Sequence, residues 1–136
     1  MILEQFVFKV LEVPFVDRGR DWDGLDCWGL IRLAYLEIYD IELPSYVDQY
    51  DDSCDRETIR KIIELEKDVL WHEVDQPIPG DVALLRILGH ALHTGLMVDT
   101  RRALHTEINV GPMIEELSSL MWRNRVEGYY RHDALI

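Results

Sequence analysis

Cysteine is scarce in this sequence. Only Cys27 and Cys54 occur among 136 residues, and their separation does not match the paired spacing of zinc-binding motifs. Two cysteines are also too few for a disulfide scaffold, so we expect both thiols to be reduced. Hydrophobic residues make up 48% of the chain, which is sufficient for an ordinary core. The length and composition predict one domain that spans residues 1–136.

Basic residues are outnumbered, and long apolar runs are missing. The 14 Lys and Arg residues stand against 26 Asp and Glu residues, for a net charge of -12. Nucleic-acid binding needs clustered basic side chains, so we expect no nucleic-acid partner. No run approaches the roughly 18 apolar residues of a membrane-spanning helix, so we expect no membrane partner. Glu4, Lys9 and Glu12 interrupt the apolar N-terminus, which indicates synthesis in a cytoplasm without a signal peptide.

Apolar residues recur first at helical spacing and then at strand spacing. The helical segments are residues 2–12, 26–39 and 56–70. The strand-like segments are residues 81–87, 92–99, 103–108, 113–114 and 126–131. A charged, glycine-containing segment at residues 15–24 is expected to be a loop. Helices followed by an antiparallel sheet predict the α+β class.

The second predicted helix begins close to Cys27, with Asp26 as its N-cap. The positive end of the helix macrodipole and the amides of the first turn favour a thiolate, so we expect a lowered pKa for the Cys27 thiol. A thiolate is a nucleophile, and this position therefore indicates a catalytic cysteine. The alternative is a small buried residue without a chemical function.

A cysteine nucleophile needs a base and a group that orients the base. His93 and His105 lie in consecutive strand-like segments, twelve positions apart across a turn. A hairpin would set them side by side, so that one imidazole takes the thiol proton and the other fixes its tautomer. The alternative is a zinc site, for which the candidates are Cys27, His90, His93 and His105. Strand alternation directs His90 and His93 to opposite faces, which favours a site without a metal or other cofactor.

Four short blocks occur in a recognisable order. They are Gly24-Leu-Asp-Cys-Trp-Gly-Leu30, Pro79-Gly-Asp-Val-Ala-Leu-Leu85, His93-Thr-Gly-Leu96 and Leu104-His105. Together they resemble the NlpC family of papain-like cysteine peptidases. This resemblance implies a single papain-like α+β domain, with N-terminal helices packed on an antiparallel sheet and the nucleophile at a helix N-terminus. It also implies that Cys27 is the nucleophile, His93 the general base and His105 the orienting third member.

The resemblance also implies a function. Family members commonly hydrolyse peptide stems of bacterial peptidoglycan, often between D-glutamate and diaminopimelate, and no metal is required. Trp28 follows the cysteine where many secreted members have serine. With the connector at residues 43–46 and the ending Trp122-x-x-Arg125, it resembles the branch found in phage and prophage tails. That branch implies other phage tail proteins as partners, synthesis in the host bacterial cytoplasm, assembly into the virion tail and action at the cell wall.

Two other functions are compatible with the same features. A structural tail-tip protein would keep the fold with weak or no hydrolase activity, and an amidase or acyltransferase would use the same triad on another amide. Phe15 bears on this choice, because many family members have a tyrosine at this position whose hydroxyl reaches the active site. Its replacement by phenylalanine weakens the expected stabilisation of the oxyanion.

Further residues near the cysteine are candidates for contact with the substrate or the oxyanion. The backbone N–H of Cys27 is expected to contribute to the oxyanion hole. Trp28 either contacts the substrate or packs beside the nucleophile. Arg18 and Arg20 either pair with a carboxylate of the stem peptide or remain solvated. For Asp26, the cap is the favoured role.

The remaining aromatic and titratable residues are expected to be structural. The tryptophans at positions 22, 28, 71 and 122 are candidates for a glycan groove, but Trp71 and Trp122 are expected to pack in the core or under a lid. His72 and His132 lie in polar surroundings and are expected at the surface. Cys54, in an acidic turn, has no expected role.

Overall fold

The computed structural model describes residues 1–46, 70–87 and 90–136. The predicted helix at residues 56–70 falls almost wholly outside the described residues, as does Cys54. Within them, two helices pack on an antiparallel sheet, which confirms the α+β class. The helices are α1 (Leu3–Val10) and α2 (Cys27–Tyr39). The strands are β1 (Arg20–Asp21), β2 (Gly24–Leu25), β3 (Trp71–Val74), β4 (Val82–Ile87), β5 (His90–Met97), β6 (Arg102–Glu107), β7 (Gly111–Glu116) and β8 (Val126–His132), followed by a 3-10 turn at Asp133–Leu135.

The first helix buries the face that its sequence predicts. Phe6 and Val10 are fully buried, and Val13 beyond the helix end is buried as well. The spacing also predicts Ile2 on this face, but Ile2 is 60% exposed. It precedes the first turn, where its N–H donates to the side-chain oxygen of Gln5 and caps the helix. Neither described helix is both long and apolar enough to cross a membrane.

The second helix lies between α1 and the sheet. Leu30, Leu33 and Ala34 are buried at helical spacing. The helix ends at Asp40, which adopts the left-handed conformation with φ 56° and donates its backbone N–H to the carbonyl of Leu36. Burial of this face against the strands fixes the start of α2, and with it Cys27, over the sheet.

Six strands of the described part of the chain form one antiparallel sheet in the order β3-β8-β4-β5-β6-β7. Strand alternation separates two hydrophobic clusters: Leu96 packs with the helices, and the next residue, Met97, packs with Trp122 on the other side. Among the described residues, β5 and β6 pair only next to their turn, at Leu96 with Leu104 and Met97 with Ala103. His93 and His105 therefore lie beyond the paired part of β5 and β6, although each is paired with the strand on its other side.

The segment Pro79-Gly80-Asp81 fastens the start of β4 to its neighbours. Gly80 has φ 97°, and a Cβ atom there would lie 2.1 Å from the hydroxyl oxygen of Tyr39. The hydroxyl of Tyr35 donates to the Gly80 carbonyl. The Asp81 carboxylate accepts from Nε and Nη2 of Arg131, at 2.9 and 2.8 Å. The segment therefore links the start of β4 to α2 and to β8.

Three short strands escape prediction from the sequence. β1 and β2 form a two-residue hairpin within the segment expected to be a loop. Strands of this length are too short to show a hydrophobic period, and they depend on tertiary hydrogen bonds such as that from the Val16 N–H to the Leu25 carbonyl, 3.1 Å. β3 is a short edge strand that pairs with β8. β7 is also longer than the predicted segment at residues 113–114.

The prediction that His132 lies at the surface is wrong. His132 is 7% exposed, and its ring meets that of Trp71 edge-on, with centroids 5.0 Å apart. The register of β8 against β3 creates this contact, and the polar surroundings in sequence do not reveal it. His72 agrees with the prediction, because its side chain is 48% exposed and its Nε2 lies 2.9 Å from the Asp133 carboxylate.

Candidate active site

Cys27 is the first residue of α2 and is partly exposed, so its predicted position at a helix N-terminus is confirmed. Asp26 precedes it and is 1% exposed. The Oδ1 atom of Asp26 accepts hydrogen bonds from the Gly29 N–H at 2.8 Å and from Nη1 of Arg20 at 2.6 Å. Asp26 is therefore the N-cap, and it also forms a largely buried ion pair.

Arg20 is not the solvated loop cation that its sequence surroundings indicate. In addition to Asp26, its Nε donates to the Ser45 hydroxyl at 3.0 Å, and its Nη2 donates to the Ser45 carbonyl at 2.9 Å. These bonds commit the guanidinium to joining the helix start with the connector at residues 43–46. Arg18 is exposed, with φ 58°, and is the cation of this pair that remains accessible to a carboxylate in solution.

Trp28 reinforces the same junction. Its indole Nε1 donates to the Pro44 carbonyl at 2.8 Å, and its ring lies 5.9 Å from the ring of Tyr46. The polar edge of Trp28 is thus used within the protein. Packing beside the nucleophile is the structural role that these contacts show.

Thr94 connects the cysteine to the sheet. Its hydroxyl donates to the backbone carbonyl of Cys27 at 3.2 Å. Hydrogen bonding from Thr94 also favours the thiolate of Cys27 and so acts to lower the pKa of the thiol. The start of α2 therefore rests on β5 at the residue next to His93.

The prediction of a lowered thiol pKa is wrong. Burial raises the pKa of the Cys27 thiol to about 11, and the Asp26 carboxylate adds to the rise. Thr94 and, more weakly, Arg20 act in the opposite direction without compensating. The sequence argument counted the helix dipole but not the loss of hydration or the adjacent negative charge. Cys27 therefore needs a base to become a nucleophile.

His93 and His105 lie together, as the predicted hairpin requires. The Nε2 atom of His93 and the Nδ1 atom of His105 are 2.7 Å apart, with the ring planes at 87°. The two residues are 6% and 0% exposed. Burial lowers the pKa of His105 to about 4, so this imidazole is neutral at physiological pH. A neutral His105 that is hydrogen-bonded to Nε2 of His93 can orient the His93 ring without competing for the proton that His93 would take up.

Two carboxylates that sequence reasoning missed flank His105. A carboxylate oxygen of Glu107 lies 3.7 Å from Nδ1, and one of Glu115 lies 3.9 Å from Nε2. Glu107 stands two residues after His105 in β6, so strand periodicity alone is sufficient to place it on the same face. Glu115 reaches the site through the register of β7 against β6, which pairs it with Ala103 and has no local sequence signature.

A metal is not needed to explain the histidine pair. His93, His105 and Glu107 offer three donor atoms within 4.8 Å of one another. Two nitrogens bound to one tetrahedral zinc stand about 3.4 Å apart, given Zn–N bonds of about 2.05 Å. The observed 2.7 Å is the length of a hydrogen bond. The side chain of His90, part of the sequence-based zinc alternative, lies outside the described residues.

The remaining predicted residues lie near the site or in the core. Phe15 is partly buried and forms an isolated backbone bridge with Leu25, two residues before the cysteine. Trp71 and Trp122 are 8% and 3% exposed, which confirms that they pack internally. The ring of Trp122 packs against that of His105, with the ring centroids 5.2 Å apart.

Comparisons with known proteins identify the family. A model of the NlpC/P60 family matches residues 12–131. The NlpC/p60 domain of the peptidoglycan hydrolase SagA has a similar structure, with 16% identity, a TM-score of 0.65 and 94% of each chain covered. A lipoprotein-like NLP/P60 protein of Staphylococcus aureus subsp. aureus Mu50 gives 20% identity and a TM-score of 0.66, with 96% of this chain and 40% of that chain covered. No curated protein matches the sequence. The chain belongs to the NlpC/P60 family, and is thus a papain-like cysteine peptidase of the kind that acts on the cell wall.

Proposed function

We propose that this protein is a cysteine endopeptidase that hydrolyses peptide stems of bacterial peptidoglycan, at a bond of the D-glutamyl-diaminopimelate type. Cys27 is the nucleophile, His93 the general base and His105 the orienting residue. The observation that carries this proposal is the buried 2.7 Å hydrogen bond between His93 and His105, on the strand that contacts Cys27 through Thr94.

The raised pKa of the thiol determines how the reaction begins. A neutral thiol attacks an amide poorly, so a base must remove its proton as the sulfur approaches the carbonyl. The Nε2 atom of His93 is engaged with His105, which assigns this task to Nδ1 of the same ring. The imidazolium that forms keeps its Nε2–H pointed at His105. General-base catalysis of this kind contributes on the order of 100- to 10,000-fold.

The subsequent steps follow from the attack. A bond forms between the sulfur and the carbonyl carbon, and the electron pair of the C=O bond moves to oxygen. The backbone N–H of Cys27, at the positive end of α2, stabilises this oxyanion. The C–N bond then breaks as the imidazolium protonates the leaving amine. Water, deprotonated by His93, releases the acyl group, and the thiol recovers its proton.

The residues around Cys27 have separate roles in positioning the nucleophile and binding the substrate. Asp26 and Arg20 hold the nucleophile in place through the cap and the ion pair. Arg18 is exposed beside them and is the group that would pair with a carboxylate of the stem peptide. Phe15, which is partly buried beside Leu25, is the proposed apolar wall of the pocket. Trp28 fixes the connector that borders it.

We further propose that the enzyme is a component of a phage or prophage tail, where it contacts other tail proteins and opens the wall locally. The resemblance to the tail branch at Trp28, at the 43–46 connector and at Trp122 and Arg125 supports this. Two of these features are joined in space, since Trp28 donates to the Pro44 carbonyl. The other pair also interacts, since the Arg125 guanidinium lies 5.5 Å from the Trp122 ring centre.

Digestion of purified diaminopimelate-type peptidoglycan tests the hydrolase. We expect soluble muropeptides whose masses identify the cut bond, and we expect Cys27→Ala to release none. Release by both proteins, or by neither while both are folded and reduced, would contradict the proposal. Addition of an amine acceptor distinguishes an acyltransferase, which would form the transfer product in place of the hydrolysed one.

A structural tail-tip protein is the second candidate, favoured by Phe15 and by the raised pKa of the thiol. Phe15→Tyr restores a hydroxyl donor at the position where many family members have one. In an enzyme, this change is expected to increase the rate of muropeptide release, by up to about 100-fold if the donor reaches the oxyanion. A structural protein would remain inactive with tyrosine at this position. Phe8→Tyr, on the exposed face of α1, is the matched control.

A further inference from the structure

The tautomer of His105 decides which nitrogen of His93 is basic. If Nδ1 of His105 carries the proton, it donates to Nε2 of His93, and the proton of neutral His93 must then sit on Nδ1. If Nε2 of His105 carries the proton, Nδ1 accepts from the Nε2–H of His93, and Nδ1 of His93 is left with its lone pair. Only the second arrangement provides a base for the thiol.

The two carboxylates near His105 favour opposite tautomers. Glu107 lies 3.7 Å from Nδ1, but that nitrogen is already bonded to His93 at 2.7 Å. Glu115 lies 3.9 Å from Nε2, and Nε2 is buried without a hydrogen-bond partner among the described residues. Of the two carboxylates, only that of Glu115 therefore lies near a nitrogen of His105 that still lacks a hydrogen-bond partner.

We propose that Glu115 is a positioning residue that holds His105 in the Nε2–H tautomer and so makes Nδ1 of His93 the acceptor of the thiol proton. The inference rests on the proposed function of the site. The side chain of Glu115 is 29% exposed, and a shift of about 1 Å would bring its oxygen to hydrogen-bond length from Nε2 of His105. A buried N–H without an acceptor is costly, which favours this shift.

The same carboxylate stabilises the charge that appears during the reaction. When His93 takes the thiol proton, positive charge develops on its ring, which is hydrogen-bonded to His105. Among the described residues, the titratable groups that face His105 are His93 from β5, Glu107 from its own strand and Glu115 from β7. Glu107 supplies charge near the hydrogen bond, whereas Glu115 supplies charge and also fixes the proton.

Three variants separate these effects. Glu115→Ala removes the charge and the acceptor, and Glu115→Gln removes the charge but keeps an acceptor oxygen. Glu116→Ala is the matched control, because Glu116 is adjacent in β7 and its carboxylate lies 3.6 Å from Nε of exposed Arg101. Each is compared with the unmodified protein in three measurements: nitrogen-15 NMR of the histidine rings, the pH dependence of Cys27 alkylation by iodoacetamide, and muropeptide release.

For the unmodified protein, we expect Nε2 of His105 to resonate as a protonated nitrogen. Glu115→Ala is expected to give a mixture of tautomers, to move half-maximal alkylation of Cys27 up by about one pH unit and to lower kcat roughly 10-fold, the effect of one charge-assisted hydrogen bond. Glu115→Gln is expected to keep the tautomer with a smaller loss, and Glu116→Ala to change nothing. KM should stay the same throughout, because the proposed role of Glu115 acts through His105 and not on the substrate.

The proposal fails if Nε2 of His105 is unprotonated, or if Glu115→Ala matches Glu116→Ala in tautomer and alkylation profile. The NMR and alkylation measurements need no substrate, so they decide the role of Glu115 even if peptidoglycan is not cleaved. Conversely, cleavage that requires Cys27 but is indifferent to Glu115 would support the hydrolase and overturn this inference alone.

Discussion

Cys27, the proposed nucleophile, and His93, the proposed base, are held by different physical means. At the start of α2, polar groups within a short stretch of sequence fix the backbone, with Asp26 accepting from Gly29 and Arg20. At the histidine pair, apolar burial dominates, with His105 fully enclosed and covered by Trp122. Burial raises the pKa of the Cys27 thiol, and the Asp26 carboxylate of this polar clamp adds to the rise, whereas burial lowers the pKa of His105 and keeps that ring neutral. In the proposed mechanism, the thiol therefore becomes reactive only through the histidine pair.

Among the changes considered, removal of the base should have the largest effect on activity. His93→Ala leaves a correctly placed thiol whose pKa remains high, so muropeptide release is expected to fall by roughly 1,000- to 10,000-fold. The measurement is the initial rate at pH 7 on diaminopimelate-type peptidoglycan. His72→Ala, a change at an exposed histidine, should retain full activity. Equal rates for the two variants would show that the clamp alone activates the sulfur.

Removal of the cap should weaken the fold and yet make the thiol more acidic. Asp26→Ala deletes the N-cap and leaves Arg20 unpaired with that carboxylate, at a cost of about 3 kcal/mol in the free energy of unfolding. The loss of the neighbouring negative charge should also move Cys27 alkylation to lower pH, because that carboxylate raises the thiol pKa.

Urea unfolding and alkylation profiles check both parts. Asp26→Asn keeps a cap acceptor and should lose less stability, while Asp23→Ala, at an exposed acidic residue nearby, should change neither quantity. An unchanged unfolding free energy in Asp26→Ala would contradict the importance of the clamp.

The enclosure of His105 should appear in the pH dependence of stability. Its pKa is about 4 in the folded protein and about 6.5 when unfolded, so the folded state resists a proton that the unfolded state accepts. The stability contributed by the neutral ring is complete above pH 6.5 and is lost as the pH falls toward 4, by on the order of 3 kcal/mol. Urea unfolding between pH 7 and pH 4 should show this fall in the unmodified protein and a shallower fall in His105→Gln. Parallel stability curves for the two proteins would contradict the predicted contribution of His105.

The same contrast explains what could be predicted from the sequence. The cap at Asp26, the helix start at Cys27 and the proximity of His93 to His105 follow from local patterns and one hairpin. The raised pKa of the thiol does not, because the extent of burial and the buried charge of Asp26 depend on packing. The position of Glu115 beside His105 could not be predicted for a similar reason, since only the β6–β7 register brings it to the site.

Errors in the fold have a related cause. The strands β1, β2 and β3 are two to four residues long and carry no periodic pattern of their own. His132 is buried because β8 sets it against Trp71. Arg20 is paired because the connector at Ser45 folds back onto the helix start. In each case, a partner distant in the sequence decides the outcome.

The glycine at position 80 has a consequence for how this sequence can change over generations. Any side chain there would meet the hydroxyl of Tyr39 at 2.1 Å, and φ 97° would disfavour it further. A phenylalanine at position 39 would remove the hydroxyl, but the ring carbon at 3.1 Å and the positive φ would remain. Drift at position 39 is therefore possible while Gly80 stays, but drift at Gly80 is blocked from both sides. The glycine in the Pro79-Gly80-Asp81 segment is thus required by the backbone conformation and by Tyr39, independently of the chemistry at Cys27.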